Sequence, residues 1–284
     1  MKLTEIFNMN KVENFFNNNQ EMTRKSYAKV NIFLKIAGKR NDYHEIVSRF
    51  VRVKNLFDVM SFQKQSCEEF VLEGDFGCDT KQNTIYKAYL KLAELSPKVE
   101  LFFKQHKTVV TKKVPEFAGL GGGSSNAATF ILMVNDFCKL DIDINKMAEI
   151  GSKIGADVPF FIYEYDSANV TGIGEIVHKF DEETLNISTF TPNIKCNTAA
   201  IFREFRNKFY KEISNEDSSR LLKMRSIDIL KYLTIEDAND LYAPACNVYP
   251  ELKQIEQKEN EKYKIKNYFS GSGSSFFRII DENK

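Results

Sequence analysis

The sequence predicts an α+β fold in two units, and three stretches carry that reading. Residues 27–36 alternate apolar and polar side chains at the period of a strand. A glycine-serine stretch at 118–128 runs straight into apolar residues at helical spacing. A second Gly/Ser segment, at 269–277, adjoins a closing strand near the C-terminus. At 284 residues the chain buries a substantial core without staples, as one large domain or two ordinary ones.

Taken in order, residues 1–22 read as an N-terminal extension, a short helix or loose segment without the continuous apolar run of a signal peptide. In the strand at 27–36, Ala28, Val30, Ile32, Leu34 and Ile36 share one side, and Lys29, Asn31, Phe33 and Lys35 the other. Lys29 and Asn31 are thus expected in one polar cleft. A turn at 38–42 leads to a strand at 46–53, with further strands at 59–62 and 69–72. A helix follows at 83–95, carrying Ile85, Ala88, Tyr89 and Leu92 on one face. A strand at 108–113 enters the glycine loop. The helix beyond it, to about 140, places Ala127, Ala128, Ile131, Leu132, Met133 and Phe137 near one face, with Ser124, Ser125 and Asn126 as candidate caps.

A shorter helix is expected at 145–154. Residues 155–161 read as a turn, since Pro159 limits a helix, before a strand through Ile162 and Tyr163. Beyond a break at 172–175, a strand at 187–189, a helix from about 197, charge-rich helices within 208–233 and a strand at 274–280 form a second α+β unit. The expected units are 23–170 and 171–284.

Gly119, Gly121, Gly122 and Gly123 lie within five positions, a backbone-entropy cost that some local geometry must require. A loop feeding a helix N-terminus offers unpaired N–H groups and the positive end of the dipole, so the leading reading is a phosphate cradle. The plain alternative is a tight or flexible turn. The P-loop pattern fails because no Lys follows the glycines, and GxGxxG fails because Ser124 takes its last position.

Forty basic against 39 acidic side chains leave a formal charge of +1, with no global field to favour nucleic acid or an anionic membrane. Five widely spaced cysteines without CxxC favour reduced thiols and a cytoplasmic setting over a disulfide frame or zinc site. The three histidines, His44, His106 and His178, are unclustered and give no metal signature, and no apolar stretch approaches a membrane span.

Asp157 stands between Ala156 and Val158, ahead of a proline and two phenylalanines. Either it is a turn aspartate bonded to backbone N–H groups, or a cation such as Lys29 holds it ionised beside a substrate hydroxyl. Tyr43 and His44 are either a loop pair satisfied by neighbouring backbone or a recognition pair for a planar ligand such as a nucleobase. Two separated Gly/Ser loops fit a polyanion held between two units. Phosphoryl transfer then outranks reduction, because neither a nicotinamide fingerprint nor a redox cysteine pair is present.

The motifs in this order resemble the 4-diphosphocytidyl-2-C-methyl-D-erythritol kinase family, of the galactokinase, homoserine kinase, mevalonate kinase and phosphomevalonate kinase (GHMP) superfamily. The resemblance covers nearly everything after residue 25. It rests on Ala-Lys-Val-Asn-Ile-Phe-Leu at 28–34, Tyr43-His44, Pro115 with Gly-Leu-Gly-Gly-Gly-Ser-Ser-Asn-Ala-Ala at 119–128, and Gly-Ala-Asp-Val-Pro-Phe-Phe at 155–161. Asn-Asp-Leu at 239–241, Tyr249-Pro250 and Ser-Gly-Ser-Gly-Ser at 270–274 complete it.

The resemblance implies a GHMP-kinase fold, with an N-terminal ribosomal-protein-S5-like α/β domain and a C-terminal ferredoxin-like domain. It implies ATP-dependent phosphorylation of the 2-hydroxyl of 4-diphosphocytidyl-2-C-methyl-D-erythritol in the non-mevalonate route to isoprenoids, with ATP and Mg2+. Lys29 and Asp157 match its catalytic pair and Asn31 a substrate contact. Tyr43 and His44 match the pair that recognises cytosine, and Phe202 an aromatic on the other face of that base. Pro115, Gly119, Leu120, Gly121, Gly122, Gly123, Ser124 and Ser125 match the ATP loop, and Gly271, Ser272 and Gly273 the loop closing over substrate phosphate. No protein-built metal centre, nucleic acid or membrane partner is expected, and the chain is taken as a monomer or weak homodimer.

Two departures stand out. The family pattern Asp-Gly-Tyr-His is one residue shorter here, at Asp42-Tyr43, and its Pro-x-Gly reads Pro115-Glu116-Phe117. A β-carbon at 117 conflicts with a glycine-only backbone angle, so a local backbone adjustment is expected with the phosphate site kept. Tyr27, where proline is common, adds an N–H. The competing readings are a related kinase for mevalonate, homoserine or a sugar, and a non-catalytic nucleotide-binding module.

Overall fold

The computed structural model describes residues 22–280, so the extension expected at 1–22 lies outside the described residues except for Met22. The chain opens with two long antiparallel strands, β1 (Thr23–Arg40) and β2 (Tyr43–Lys64). Asn41, at φ 55°, makes the short turn between them, a conformation its compact polar side chain tolerates. The strands expected at 46–53 and 59–62 are one strand.

Then come β3 (Leu72–Gly74), α1 (Thr84–Leu95), α2 (Pro97–Phe103) and β4 (His106–Thr111). Beyond the glycine loop lie α3 (Gly122–Cys138), α4 (Ile144–Ser152), α5 (Val158–Ile162), β5 (Ser167–Thr171) and β6 (Ile176–Lys179). The six strands form one sheet in the order β3-β4-β2-β5-β6, with β1 along the other edge of β2.

The remainder supplies β7 (Ile187–Phe190), α6 (Thr198–Glu204) continued by a π-helical turn at Phe205–Phe209, α7 (Asn215–Lys223) and α8 (Ser226–Tyr232). After α9 (Ile235–Ala238), α10 (Tyr242–Val248) and α11 (Glu251–Tyr263), β8 (Tyr268–Phe269) and β9 (Phe276–Ile279) close a three-stranded sheet in the order β7-β9-β8. The architecture is mixed, with two sheets. The break at 172–175 is a hairpin turn inside the larger sheet, so a boundary at 170/171 cuts β5 from its partner β6. The chain leaves that sheet only after Lys179.

Register matters most in β1. Asn31 pairs with Phe50 and Phe33 with Arg49, so one extra residue is inserted at Ile32. Such a bulge exchanges the faces of everything beyond it. Ala28, Val30, Ile32 and Phe33 pack into one core cluster, while Leu34 and Ile36 pack into another. The strict alternation expected through Ile36 therefore stops at the bulge, and Leu34, not Phe33, shares the cleft with Lys29 and Asn31.

Two helix expectations are corrected. α3 begins at Gly122, with left-handed Gly121 as its N-cap, so Ser124 and Ser125 lie in its first turn, Asn126 just beyond, and none of them is the cap. Every residue from Ser125 to Val134 is buried, which makes α3 a core helix rather than an amphipathic one. Residues 158–162, expected as turn then strand, are α5, where Pro159 sits in the first turn and needs no N–H partner.

Candidate active site

The glycine loop, the start of β1, the segment before α5 and the C-terminal Gly/Ser loop converge on one cleft of about 820 Å³. At its centre the Lys29 ammonium donates to Asn31 Oδ1 at 2.7 Å and to the Gly119 carbonyl at 3.2 Å. It lies 3.4 Å from Asp157 Oδ2 and 4.5 Å from the centre of the Phe50 ring. Its side chain is 4% exposed, so these partners take the place of water around a strongly hydrated cation. Asn31 is oriented in turn by donating to Ser48 Oγ at 3.0 Å.

Asp157 occupies the cap position of α5, yet its carboxylate makes no capping bond. The carboxylate is half-buried and faces Lys29, with Gly174 of the β5–β6 turn against it, where a Cβ would stand 3.2 Å from Oδ1. An ionised carboxylate beside a fixed ammonium, open on one side to the cleft, can orient a hydroxyl and take its proton.

The cradle depends on close backbone approach. Gly119 has φ +73°, and a Cβ there would lie 2.0 Å from the Ser270 carbonyl oxygen. At Gly121, with φ +70°, it would meet the Phe161 ring at 2.9 Å and the Lys29 stem at 3.1 Å. Lys29 N–H donates to Leu120 O at 3.0 Å, tying loop to strand. Ser270 Oγ donates to Gly119 O at 3.0 Å, and Ser275 N–H to Ala118 O at 3.1 Å, so the two Gly/Ser loops touch directly. Thr198 Oγ1 and Ser272 Oγ, 2.8 Å apart, bring in the start of α6. Pro115, Leu120, Gly122, Gly123, Ser124, Gly271 and Ser272 also line the cleft, whereas Ser125 and Gly273 do not.

Ser125 serves the cradle from below. Its Oγ meets Ser26 Oγ, which also meets Thr129 Oγ1 and accepts from Asn126 Nδ2. The fully buried Asp58 carboxylate accepts from Asn126, from the N–H groups of Lys113 and Val114 and from Lys112, whose ammonium also donates to Asn126. Sequence reasoning missed this network. Its signal was the short spacing between Lys112 and Asn126, with Asp58 contributed by a distant strand.

At one end of the cleft lie Tyr43, His44, Phe202 and Arg206. His44 is 6% exposed and stacked on Phe202, with ring centres 5.1 Å apart, and its Nε2 has no hydrogen-bond partner. Burial, then Arg206 and Lys39, pushes its pKa below the ordinary value and keeps the imidazole neutral at pH 7. Tyr43 is 64% exposed. A planar group needs about 7 Å between two rings, so none fits between His44 and Phe202 as they stand. The open surface is the Tyr43 ring and the outer part of Phe202. The shortened turn leaves His44 on β2, so Tyr43 and His44 are strand residues rather than a loop pair.

Phe117 has a left-handed backbone, at φ +53°, which costs an L-residue about 1–2 kcal/mol, and its side chain is 55% exposed. Cys138, Cys196 and Cys246 have thiols raised by burial to about 11, which makes them poor nucleophiles. Among the described residues, no helix is long and apolar enough to cross a membrane.

Residues 83–165 match the model of the GHMP kinases N terminal domain. The chain is 51% identical over 264 residues, 91% of this chain and 97% of the relative, to a 4-diphosphocytidyl-2-C-methyl-D-erythritol kinase of Sulfurimonas denitrificans. It is 36% identical over 91% of its length, and 96% of the relative's, to the kinase of that name from Helicobacter acinonychis. A crystal structure of 4-(cytidine 5'-diphospho)-2C-methyl-D-erythritol kinase superposes with a TM-score of 0.70 at 26% identity, covering 92% of this chain and 90% of that one. A mevalonate kinase structure shares the fold, with a TM-score of 0.61 at 16% identity over 92% of each chain.

Proposed function

We infer the activity from one premise: the chain belongs to the 4-diphosphocytidyl-2-C-methyl-D-erythritol kinase family of the GHMP superfamily. It is a kinase that uses ATP to phosphorylate the 2-hydroxyl of 4-diphosphocytidyl-2-C-methyl-D-erythritol, giving the 2-phosphate and ADP in the methylerythritol phosphate pathway. The observation that carries the reading at the site is the contact among Lys29, the Gly119 carbonyl and Asp157, which sets a carboxylate beside the phosphate cradle.

In this reading ATP enters as its Mg2+ complex, and its phosphates rest on Pro115, Gly119, Leu120, Gly121, Gly122, Gly123 and Ser124, with Ser125 supporting from beneath. The cradle fits such a group, because Gly119 and Gly121 stand where a Cβ would collide with the Ser270 carbonyl and the Phe161 ring, and the loop they shape opens α3 at its N-terminus on the cleft. Asp157 orients the acceptor hydroxyl and accepts its proton as the oxygen attacks the γ-phosphorus. The bond to the β–γ bridging oxygen breaks, and ADP leaves with that electron pair. Lys29 pairs with Asp157 and faces the transferring phosphoryl group, and Asn31 positions the acceptor. Gly271 and Ser272 close over substrate phosphate, with Gly273 shaping their turn from outside the cleft. His44 offers the cytosine an unpaired ring nitrogen, while Tyr43 and Phe202 flank the base. Positioning and electrostatics supply most of the rate.

We assign residues 23–170, extended by β6, to an S5-like N-terminal domain and the rest to a ferredoxin-like one. We propose a monomer or weak homodimer working in the cytoplasm, where five free cysteines suit a reducing setting. The test is to incubate purified protein with Mg-ATP and the cytidyl acceptor, with mevalonate and homoserine as controls. ADP and the 2-phosphate should form with the cytidyl acceptor alone. Transfer to a control acceptor instead would replace the reading with a sister kinase, and nucleotide binding without transfer would leave a binding module.

A further inference from the structure

Phe117 has no part in the transfer just described, yet the chain holds it in a costly position. It is a bulky apolar residue at φ +53°, more than half exposed, on the wall of the cleft beside Phe76, Cys78 and Thr84. Its ring edge lies against the 75–79 segment, where a Cβ on Gly77 would stand 3.4 Å from Phe117 Cε2. The neighbouring Glu116 carboxylate accepts from Gly77 N–H at 2.7 Å and fixes that segment to the loop entrance. Thr84 donates to the Gly123 carbonyl at 2.7 Å, joining this end of the cleft to the first turn of α3.

The cleft runs in both directions from the glycine loop. Lys29 meets the loop at Gly119 and Gly121 and joins it to Asp157, whereas Gly123 meets Thr84, and Glu116 and Phe117 meet Gly77, which makes a second end. A triphosphate whose last phosphate points at Asp157 must send its nucleoside to the second end. Glu116 argues the same way, because a carboxylate there repels phosphate and tolerates a neutral base. We propose that Phe117 is a specificity-determining residue for ATP, its ring stacking on the purine and its left-handed backbone aiming the ring into the cleft. This rests on the ATP-kinase reading and adds a contact at the one position where the loop departs from glycine.

The chain contains no tryptophan, so Phe117→Trp places a single tryptophan at the contact, excited apart from the tyrosines at long wavelength. Its emission should change saturably with Mg-ATP and stay unchanged with inorganic tripolyphosphate. Phe117→Gly suits the backbone angle, so the fold should survive with no loss of Tm. Its KM for ATP should rise about tenfold, within the range expected for losing one base–aromatic stack, while KM for the cytidyl acceptor stays put. An unchanged or lower KM for ATP in Phe117→Gly, or equal responses of the tryptophan to ATP and tripolyphosphate, would overturn the proposal. Failure of the wild type to transfer phosphate from ATP would instead remove the kinase reading beneath it.

Discussion

Lys29 is enclosed by an amide, a main-chain carbonyl, a carboxylate and an aromatic ring, and the three side chains among them can be removed separately. Asp157→Asn keeps the shape and deletes the charge, so kcat should fall by about 10²–10⁴ with little change in nucleotide affinity. Wild-type turnover would remove Asp157 from the chemistry. Lys29→Met should likewise lower kcat, measured at saturating ATP and acceptor. His44 adds a pH dependence. Its folded pKa lies below the ordinary 6.5, so the unfolded chain binds the proton first and the fold loses stability as pH drops below that value. KM for the acceptor should be flat above pH 6.5 and rise below it, and a His44→Gln variant should lack the rise. At this scale much was legible: alternation alone put Lys29 and Asn31 together. Sequence left Asp157 open between a turn role and an ion pair, because the choice depends on a lysine 128 positions away.

The elements that hold these residues are the bulged strand β1, the glycine loop into α3 and the C-terminal loop before β9. Gly119→Ala would drive a methyl into the Ser270 carbonyl at a left-handed position, pushing the two loops apart. KM for both substrates should rise and Tm should fall; normal values for all three would show that the loops need not touch. A different tie joins β2 to α7 and α8. Arg49, fully buried, donates to Asn169 Oδ1 at 2.6 Å and to the Leu222 carbonyl at 3.1 Å, beside Glu182 at 3.6 Å. Burial pulls its pKa down to about 10, still far above neutrality. Arg49→Met leaves Glu182 without its cation and should cost about 3–5 kcal/mol, read by denaturant unfolding. Local signals located most elements, including the helix expected at 83–95, which forms as α1 with Asn83 as its cap. They failed at Ile32, where a period of two cannot register an inserted residue. They failed again at Pro159, which bars a helix interior but suits its first turn.

Across the whole molecule, three buried clusters fix the two sheets and their helices around a single cleft. One lies between the larger sheet and α1–α5, and the other two join β1 and β2 to the C-terminal helices and the smaller sheet. The contact between Gly119 and Ser270 spans 151 positions, so periodicity and capping carry no trace of it. The order of the motifs implied it through resemblance, while the Arg49 network, whose partners lie 120 and 173 positions away, left no local pattern. The central claim is that the triphosphate lies on the start of α3, with its γ-phosphate within reach of an alcohol on Asp157. The most direct test is a crystal structure with a non-hydrolysable Mg-ATP analogue and the cytidyl acceptor bound together. It should place the γ-phosphate between the Gly121–Ser124 amides and Lys29, with the acceptor 2-hydroxyl hydrogen-bonded to Asp157 and in line. A triphosphate bound away from this loop, or an acceptor whose 2-hydroxyl points away from Asp157, would contradict it.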